Sequence, residues 1–346
     1  MAKKKKKNYA VLRPALMVSC IVMGLVLVVL LSATVYAEYL LNQMNYYQET
    51  PRETMSQQEA EEFLKQETDP EDENYTGSEM NAEDVVLETV EEKLETSENV
   101  VNILLIGADY QSGDIARSDS MILCTFNKTK NTITMTSFMR DLYVKIPGYG
   151  KNKINASYSI GGMQMLENTL EHNFGVQVDG IVEVDFSQFE KLIDLLGGVE
   201  LDVTYMEAEF INLKNHDRLK QGVQVLNGKQ ALWYSRFRGD GGGDFNRTNR
   251  QRVVLGKLIE NYRNSSLTDL MAMMDDILPM VTTNMDKNDI VSYVTGLFPM
   301  LVGAEIITQR IPAEGGYYMT KIDGRSVLVP NISFNVKILK DTIMEE

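Results

Sequence analysis

Between Ala15 and Ala37 the chain carries no charged residue and is built mainly of Val, Leu, Ile, Met and Ala. About 20 such residues cross a bilayer as a helix, so the run predicts a transmembrane helix over residues 15–37. A cleaved signal peptide is the competing reading, because Val35-Tyr36-Ala37 would serve as a small-residue cleavage site, but the length of the run favours retention. After it, residues 38–98 keep no sustained apolar period and read as a solvated spacer, with room for short helices near Gln57 to Lys65 and Asp84 to Leu94. At Val100 the texture changes. Val100 to Gly107 is an apolar run closed by glycine, which reads as a buried strand. Met121 to Phe126 and Thr132 to Ser137 read as two more, joined by a polar turn at 127–131. Helices over about 161–173 and 187–196 alternate with strands over about 178–185 and 199–203, with Gly197-Gly198 stopping the second helix. Further helices are predicted near 228–234, 245–263, 267–278 and 287–299, and a strand from Glu305 to Ile311. Interleaved strands and helices predict an α/β or mixed α/β domain with a central sheet.

Charge sharpens these boundaries. The 346-residue chain has a formal net charge of −15, unevenly spread. Residues 1–48 hold six Lys/Arg against Glu38, whereas residues 49–98 hold eighteen Asp/Glu against Arg52, Lys65 and Lys93. The chain divides into a basic tail (1–14), an apolar span (15–37), an acidic linker (38–98) and a domain (99–346). Lysines before the span and acids after it put the amino terminus in the cytoplasm and everything beyond Ala37 outside. The domain itself is mildly acidic, which argues against nucleic-acid binding. Cys20 and Cys124 are the only cysteines, so no intrachain disulfide framework is available.

Candidate chemistry starts from what is missing. His172 and His216 are the only histidines; no HExxH, no Cys/His zinc spacing, and neither GxxxxGK[ST] nor GxGxxG occurs. What stands out is arginine beside carboxylate. Gly107-Ala108-Asp109 closes the first strand and Arg117-Ser118-Asp119 opens the next, so a hairpin-like connection brings Asp109 and Asp119 to one end of the sheet. Two carboxylates and a cation there suit a hard divalent ion with an anionic ligand, or else a surface ion pair with loop-capping aspartates. Ser137 to Asp141 closes the third strand, and Lys153-Ile154-Asn155-Ala156 follows a Gly-rich turn. Alone, Arg140-Asp141 reads as a local salt bridge and Lys153 as a solvated lysine.

The densest cluster is Arg236, Arg238, Arg247, Arg250 and Arg252, five of the eleven arginines from residue 99 onward. Arg236 and Arg238 point the same way in an extended segment. Arg247 and Gln251 share one face of a helix whose start Asp244 is able to cap, and a helix start adds partial positive charge and free N–H groups. Converging guanidinium groups suit a diphosphate. The frequent methionines, among them Met271, Met273, Met274, Met280, Met285 and Met300, read first as core filling and second as the lining of a pliable lipid pocket.

Taken together, these blocks resemble the LytR-CpsA-Psr family of membrane-anchored envelope proteins. The matching pieces include Asn102 to Asp109, Arg117-Ser118-Asp119-Ser120, Ser137 to Asp141, Lys153 to Ala156, Val184-Asp185-Phe186 and Leu196 to Val199. Leu226 to Leu232, Tyr234 to Arg238, Asp244 to Arg247 and Arg250-Gln251 follow in the family's order and spacing. Ala108, Tyr110, Met139, Asn246 and Trp233 depart from its usual residues, and no charged site residue is lost.

The resemblance implies an αβα sandwich, a central mixed β-sheet flanked by helices, preceded by the single transmembrane helix. It implies a phosphotransferase that moves a polyprenyl pyrophosphate-linked glycopolymer onto peptidoglycan at the outer face of the cell membrane. Asp109 and Asp119 would hold Mg²⁺, and Arg117, Arg140, Lys153, Arg236, Arg238, Arg247 and Gln251 would surround the pyrophosphate. Arg117 and Arg238 would stabilise the developing charge, with Asp141 or a metal-binding aspartate as base. Two other readings use the same residues: a noncatalytic sensor or carrier of isoprenoid phosphates, and a hydrolase that uses water as acceptor. The polymer transferred is not written in the sequence.

Overall fold

The computed structural model describes residues 36–47, 55–56, 58–60, 77–88, 90, 93–94, 97–110, 117–263 and 276–343. The chain divides into two compact units, residues 1–44 and 45–346. Of the first, residues 36–42 are helical; the predicted span 15–37 lies almost wholly outside the described residues, and among those described no helix is long and apolar enough to cross a membrane.

The second unit is mixed α/β. Its strands are β1 (Asn45–Tyr46), β2 (Glu79–Met80), β3 (Val100–Asp109), β4 (Arg117–Asn127), β5 (Thr132–Phe138), β6 (Tyr143–Ile146) and β7 (Gly150–Lys153), then β8 (Gly180–Asp185), β9 (Val199–Val203), β10 (Gly222–Leu226), β11 (Thr282–Thr283), β12 (Glu305–Ile311), β13 (Tyr317–Ile322) and β14 (Arg325–Pro330). The helices are α1 (Ile154–Phe174), α2 (Phe186–Leu195), α3 (Tyr205–Asn215), α4 (Gly228–Arg236), α5 (Gly243–Tyr262), α6 (Lys287–Gly303) and α7 (Ile332–Ile343). Seven strands form the central sheet in the order β1-β11-β8-β3-β4-β5-β12. β3 pairs parallel with β8 and antiparallel with β4, so the sheet is mixed.

Alternation along β3 and β4 sends Leu104, Ile106, Met121 and Leu123 into one core, where α1 and α7 contribute Leu166, Leu170 and Leu339. Phe138 and Phe174 meet there with ring centroids 5.5 Å apart. The opposite face is covered by α2, α4 and α5, which share a second core with α3 and the antiparallel β9–β10 pair. Helices α2, α3 and α4 start with reciprocal caps: Asp185 with Gln188, Thr204 with Glu207, and Asn227 with Gln230. Such a box satisfies two otherwise orphaned backbone donors. At Gly228 a Cβ would fall 1.9 Å from the Glu190 carbonyl oxygen, so only glycine lets α4 start this close to α2.

Three expectations change. Helix α1 starts at Ile154, not near residue 161, and continues across non-helical Gly161 and Gly162. The stretch 38–98 is not simply a solvated spacer. β1 extends the edge of the central sheet, β2 adds to β13, and Ala60, Val85 and Leu94 are buried. Asp84 to Glu88 is not helical, and Val85 packs against Tyr143 and Val329. The helix predicted over 267–278 falls mostly outside the described residues; Leu278–Met280 is a 3₁₀ turn.

Candidate functional site

Strands β3 and β4 end at the site, and a bulge determines what they present there. Gly107 pairs with Ser120, but Ala108 pairs with Ser118 and Asp109 with Arg117, leaving Asp119 as the extra residue. A bulge reverses the alternation of side chains. Met121 and Leu123 face the α1 core, yet Arg117 and Asp119, at the same odd positions, face the opposite side and line a cavity. Gly107 also belongs to its lining, and a Cβ there would come 3.0 Å from the Ser120 Cβ.

The cavity holds about 490 Å³ between the sheet and α2, α4 and α5. Its inner wall is apolar, with Leu105, Val182, Phe189, Leu192, Leu255 and Leu258. Its mouth is cationic. Arg117 and Arg140 come from the strand side, Arg236 and Arg238 from the end of α4 and the residues after it, and Arg247 with Gln251 from one face of α5. Helix α4 ends at Arg236, and Phe237 is extended (φ −65°, ψ 136°). None of the described methionines lines this cavity.

Carboxylates fix the arginines. Asp244, in the first turn of α5, sets one oxygen 2.5 Å from Arg247 Nη2, 3.5 Å from Arg238 Nη2 and 3.7 Å from Arg140 Nε. It is 5% exposed, so one buried carboxylate organises three guanidinium groups. Arg140 also approaches Asp119 Oδ1 at 3.4 Å and Asp141 Oδ2 at 3.6 Å. Arg236 Nη2 lies 4.0 Å from Asp109 Oδ2. Six cations (Arg117, Arg140, Lys153, Arg236, Arg238, Arg247) thus meet four carboxylates (Asp109, Asp119, Asp141, Asp244), an excess of two positive charges in a sheltered site. That excess suits a dianionic ligand, because low-dielectric surroundings strengthen each charge-assisted contact.

Three predicted site residues lie outside the cavity lining, and one of them, Asp109, meets it through Arg236. Asp141 and Lys153 do not line the cavity; they pair with each other at 2.9 Å, Lys153 being 4% exposed. Asp141 is engaged by both Lys153 and Arg140, so it braces Arg140. The five-arginine cluster also divides. Arg250 turns to Glu207 (2.6 Å), Asp240 and the Phe237 carbonyl oxygen. Arg252 donates to Ser137 Oγ at 2.6 Å; burial, helped by nearby Arg310, lowers its pKa to about 10. Sequence reading gave Asp244 only a capping role. In fact Gly242 is the N-cap, and the signal for Asp244 was its place amid the arginines.

With this fold and site, the chain belongs to the LytR_cpsA_psr family, whose sequence pattern matches residues 56–341. It is 35% identical over 252 residues to the regulatory protein MsrR of Staphylococcus aureus, covering 71% of this chain and 75% of that one. It is 36% identical over 228 residues to the polyisoprenyl-teichoic acid–peptidoglycan teichoic acid transferase TagU of Bacillus licheniformis, covering 64% of this chain and 70% of that one. Among solved structures, the LytR-CPS2A-psr family protein YwtF (TagT) with bound octaprenyl pyrophosphate lipid superimposes with a TM-score of 0.57 at 25% identity, over 73% of this chain and 94% of that one.

Proposed function

We propose that the protein is a phosphotransferase that attaches a polyprenyl pyrophosphate-linked glycopolymer to peptidoglycan through a phosphodiester bond. The observation that carries this is the continuity of an apolar cavity with an arginine mouth, since an isoprenoid diphosphate is apolar along its chain and dianionic at its head. TagU's name and the lipid in YwtF (TagT) support the same donor class. The acceptor hydroxyl oxygen attacks the glycosyl phosphorus as its proton passes to a carboxylate of the site, the bond to the bridging oxygen breaks, and polyprenyl phosphate leaves. Arg117, Arg236, Arg238 and Arg247 hold the non-bridging oxygens and stabilise the charge that builds during transfer. Arg140, backed by Asp141 and Lys153, completes the cradle.

Asp109 and Asp119 offer the donor set that Mg²⁺ takes: one or two carboxylates, with waters and phosphate oxygens completing the shell. Their side chains stay 16% and 19% exposed beside the mouth. Bound there, the ion would neutralise phosphate charge. The apolar run at 15–37 anchors the domain on the outer face of the membrane in this reading.

The test incubates purified full-length protein with a polyprenyl diphosphate-linked glycan, peptidoglycan oligomers and Mg²⁺. A covalent glycan adduct with release of polyprenyl phosphate is expected. Release without adduct makes the protein a hydrolase; binding without release makes it a sensor or carrier.

A further inference from the structure

We infer that Trp233 is a positioning residue that holds Arg236 ready for the diphosphate without using up any of its hydrogen-bond donors. The inference rests on the anion-binding role of the mouth proposed above and goes beyond it to a residue that touches no ligand.

Arg236 is held differently from its neighbours. Arg247 and Arg140 are anchored by carboxylates, which fix a guanidinium but occupy its N–H groups and cancel its charge. Arg236 donates no hydrogen bond to any described residue, and Asp109 stands 4.0 Å away, the limit of an ion pair. Its guanidinium carbon lies over the Phe186 ring at 4.5 Å and over the Trp233 ring at 5.3 Å. A ring face attracts the cation and restricts its rotation. It accepts none of the in-plane donors, so all five stay available for phosphate oxygens. Trp233 and Arg236 are spaced i, i+3 on α4, which brings them onto neighbouring positions of the helix surface. The Trp233 ring is itself fixed edge-on by Phe210, with centroids 6.0 Å apart.

Arg250 is the internal contrast. It also lies over aromatic rings, Phe237 at 4.8 Å and Tyr234 at 6.0 Å. Its donors, however, are spent on Glu207, Asp240 and the Phe237 carbonyl oxygen. Stacking with committed donors makes a strut; stacking with open donors makes a receptor.

Trp233 is the only tryptophan in the chain, so the couple is directly observable. The full chain in detergent is titrated with inorganic pyrophosphate, by calorimetry and by tryptophan emission. Trp233→Leu should weaken binding about five- to tenfold, the worth of a partly desolvated cation–π contact, and Trp233→Phe should recover part of the loss. In an Arg236→Ala background, Trp233→Leu should cost less than about twofold more, because the partner through which Trp233 acts is gone. A purely structural tryptophan would give the same loss in both backgrounds, and that result overturns the inference. Should Trp233→Leu fail to fold, the emission decides: pyrophosphate should change it in the parent with the calorimetric midpoint and leave it unchanged in saturated Arg236→Ala. Emission indifferent to pyrophosphate in a parent that binds it also overturns the inference. A parent chain that binds no pyrophosphate overturns the proposed function, and this inference with it.

Discussion

The two faces of the central sheet are built from the same strands and have opposite interiors. Leu104, Ile106, Met121 and Leu123 look into a core that α1 and α7 fill. Leu105, Ile122, Val182 and Val184 look into about 490 Å³ of space. Apolar surface left unburied forgoes stabilisation of roughly 25 cal/mol per Å², so the hollow face costs the fold something that the packed face does not. Under the proposed function the hollow side carries the ligand and the packed side more of the stability, and substitutions on the two sides should separate these properties.

The largest effect is expected from the packed side. Phe174→Ala removes a fully buried ring that meets Phe138 and should cost about 3–5 kcal/mol in chemical denaturation. The folded fraction of that variant should still bind the isoprenoid donor with parental affinity; a binding defect there would erase the distinction between the faces. Next comes the mouth of the hollow side. Arg238→Ala should lower turnover by on the order of 10²-fold, as loss of one preorganised donor does, while the unfolding midpoint stays close to the parent's. Arg238→Lys restores the charge but not the planar fork, so only part of the rate should return.

Further inside, Leu255→Trp adds bulk to the cavity wall without enlarging a filled core. Affinity for a C₄₀ isoprenoid phosphate should fall by about tenfold or more, with thermal stability unchanged or slightly raised. A large drop in stability would mean that the cavity is filled in the resting protein. The smallest effect tests how dry the sheet is. Cys124 is buried, and burial pushes its thiol up to about 12. The thiolate is the reactive form, so in a Cys20→Ser chain a thiol reagent at pH 8 should label Cys124 only after denaturant is added.

Much of this was legible because it depends on local pattern. The apolar run ending at Gly107 forms β3, Glu305 to Ile311 forms β12, and Gly197-Gly198 ends α2, with both glycines at positive φ. The arginine concentration flagged the mouth. What stayed hidden depends on pairing across distance. β1 and β2 have two residues each, too few for any period to appear; they are strands because β11 and β13 lie beside them. The β6–β7 hairpin and α3 escaped for a related reason, since polar residues at Lys145, Lys151 and Lys214 break up their apolar pattern. The division of the arginines between ligand and scaffold was equally unreadable, because Glu207, Asp240 and Asp244 choose among them only once the helices pack.

The bulge at Asp119 bears on how such a site can change over generations. Because one extra residue shifts which strand positions face the cavity, the spacing of β4 matters independently of its composition. Exchange of Ser118 or Ser120 for another small residue leaves Arg117 and Asp119 on the ligand side. Deletion of Ser118 would straighten the ladder, leaving Arg117 opposite Asp109 on the ligand side but turning Asp119 toward the α1 core. Single exchanges between small residues are therefore open to drift at this strand, whereas loss of the Ser118 codon takes the Asp119 carboxylate out of the site at one stroke, although its letter remains.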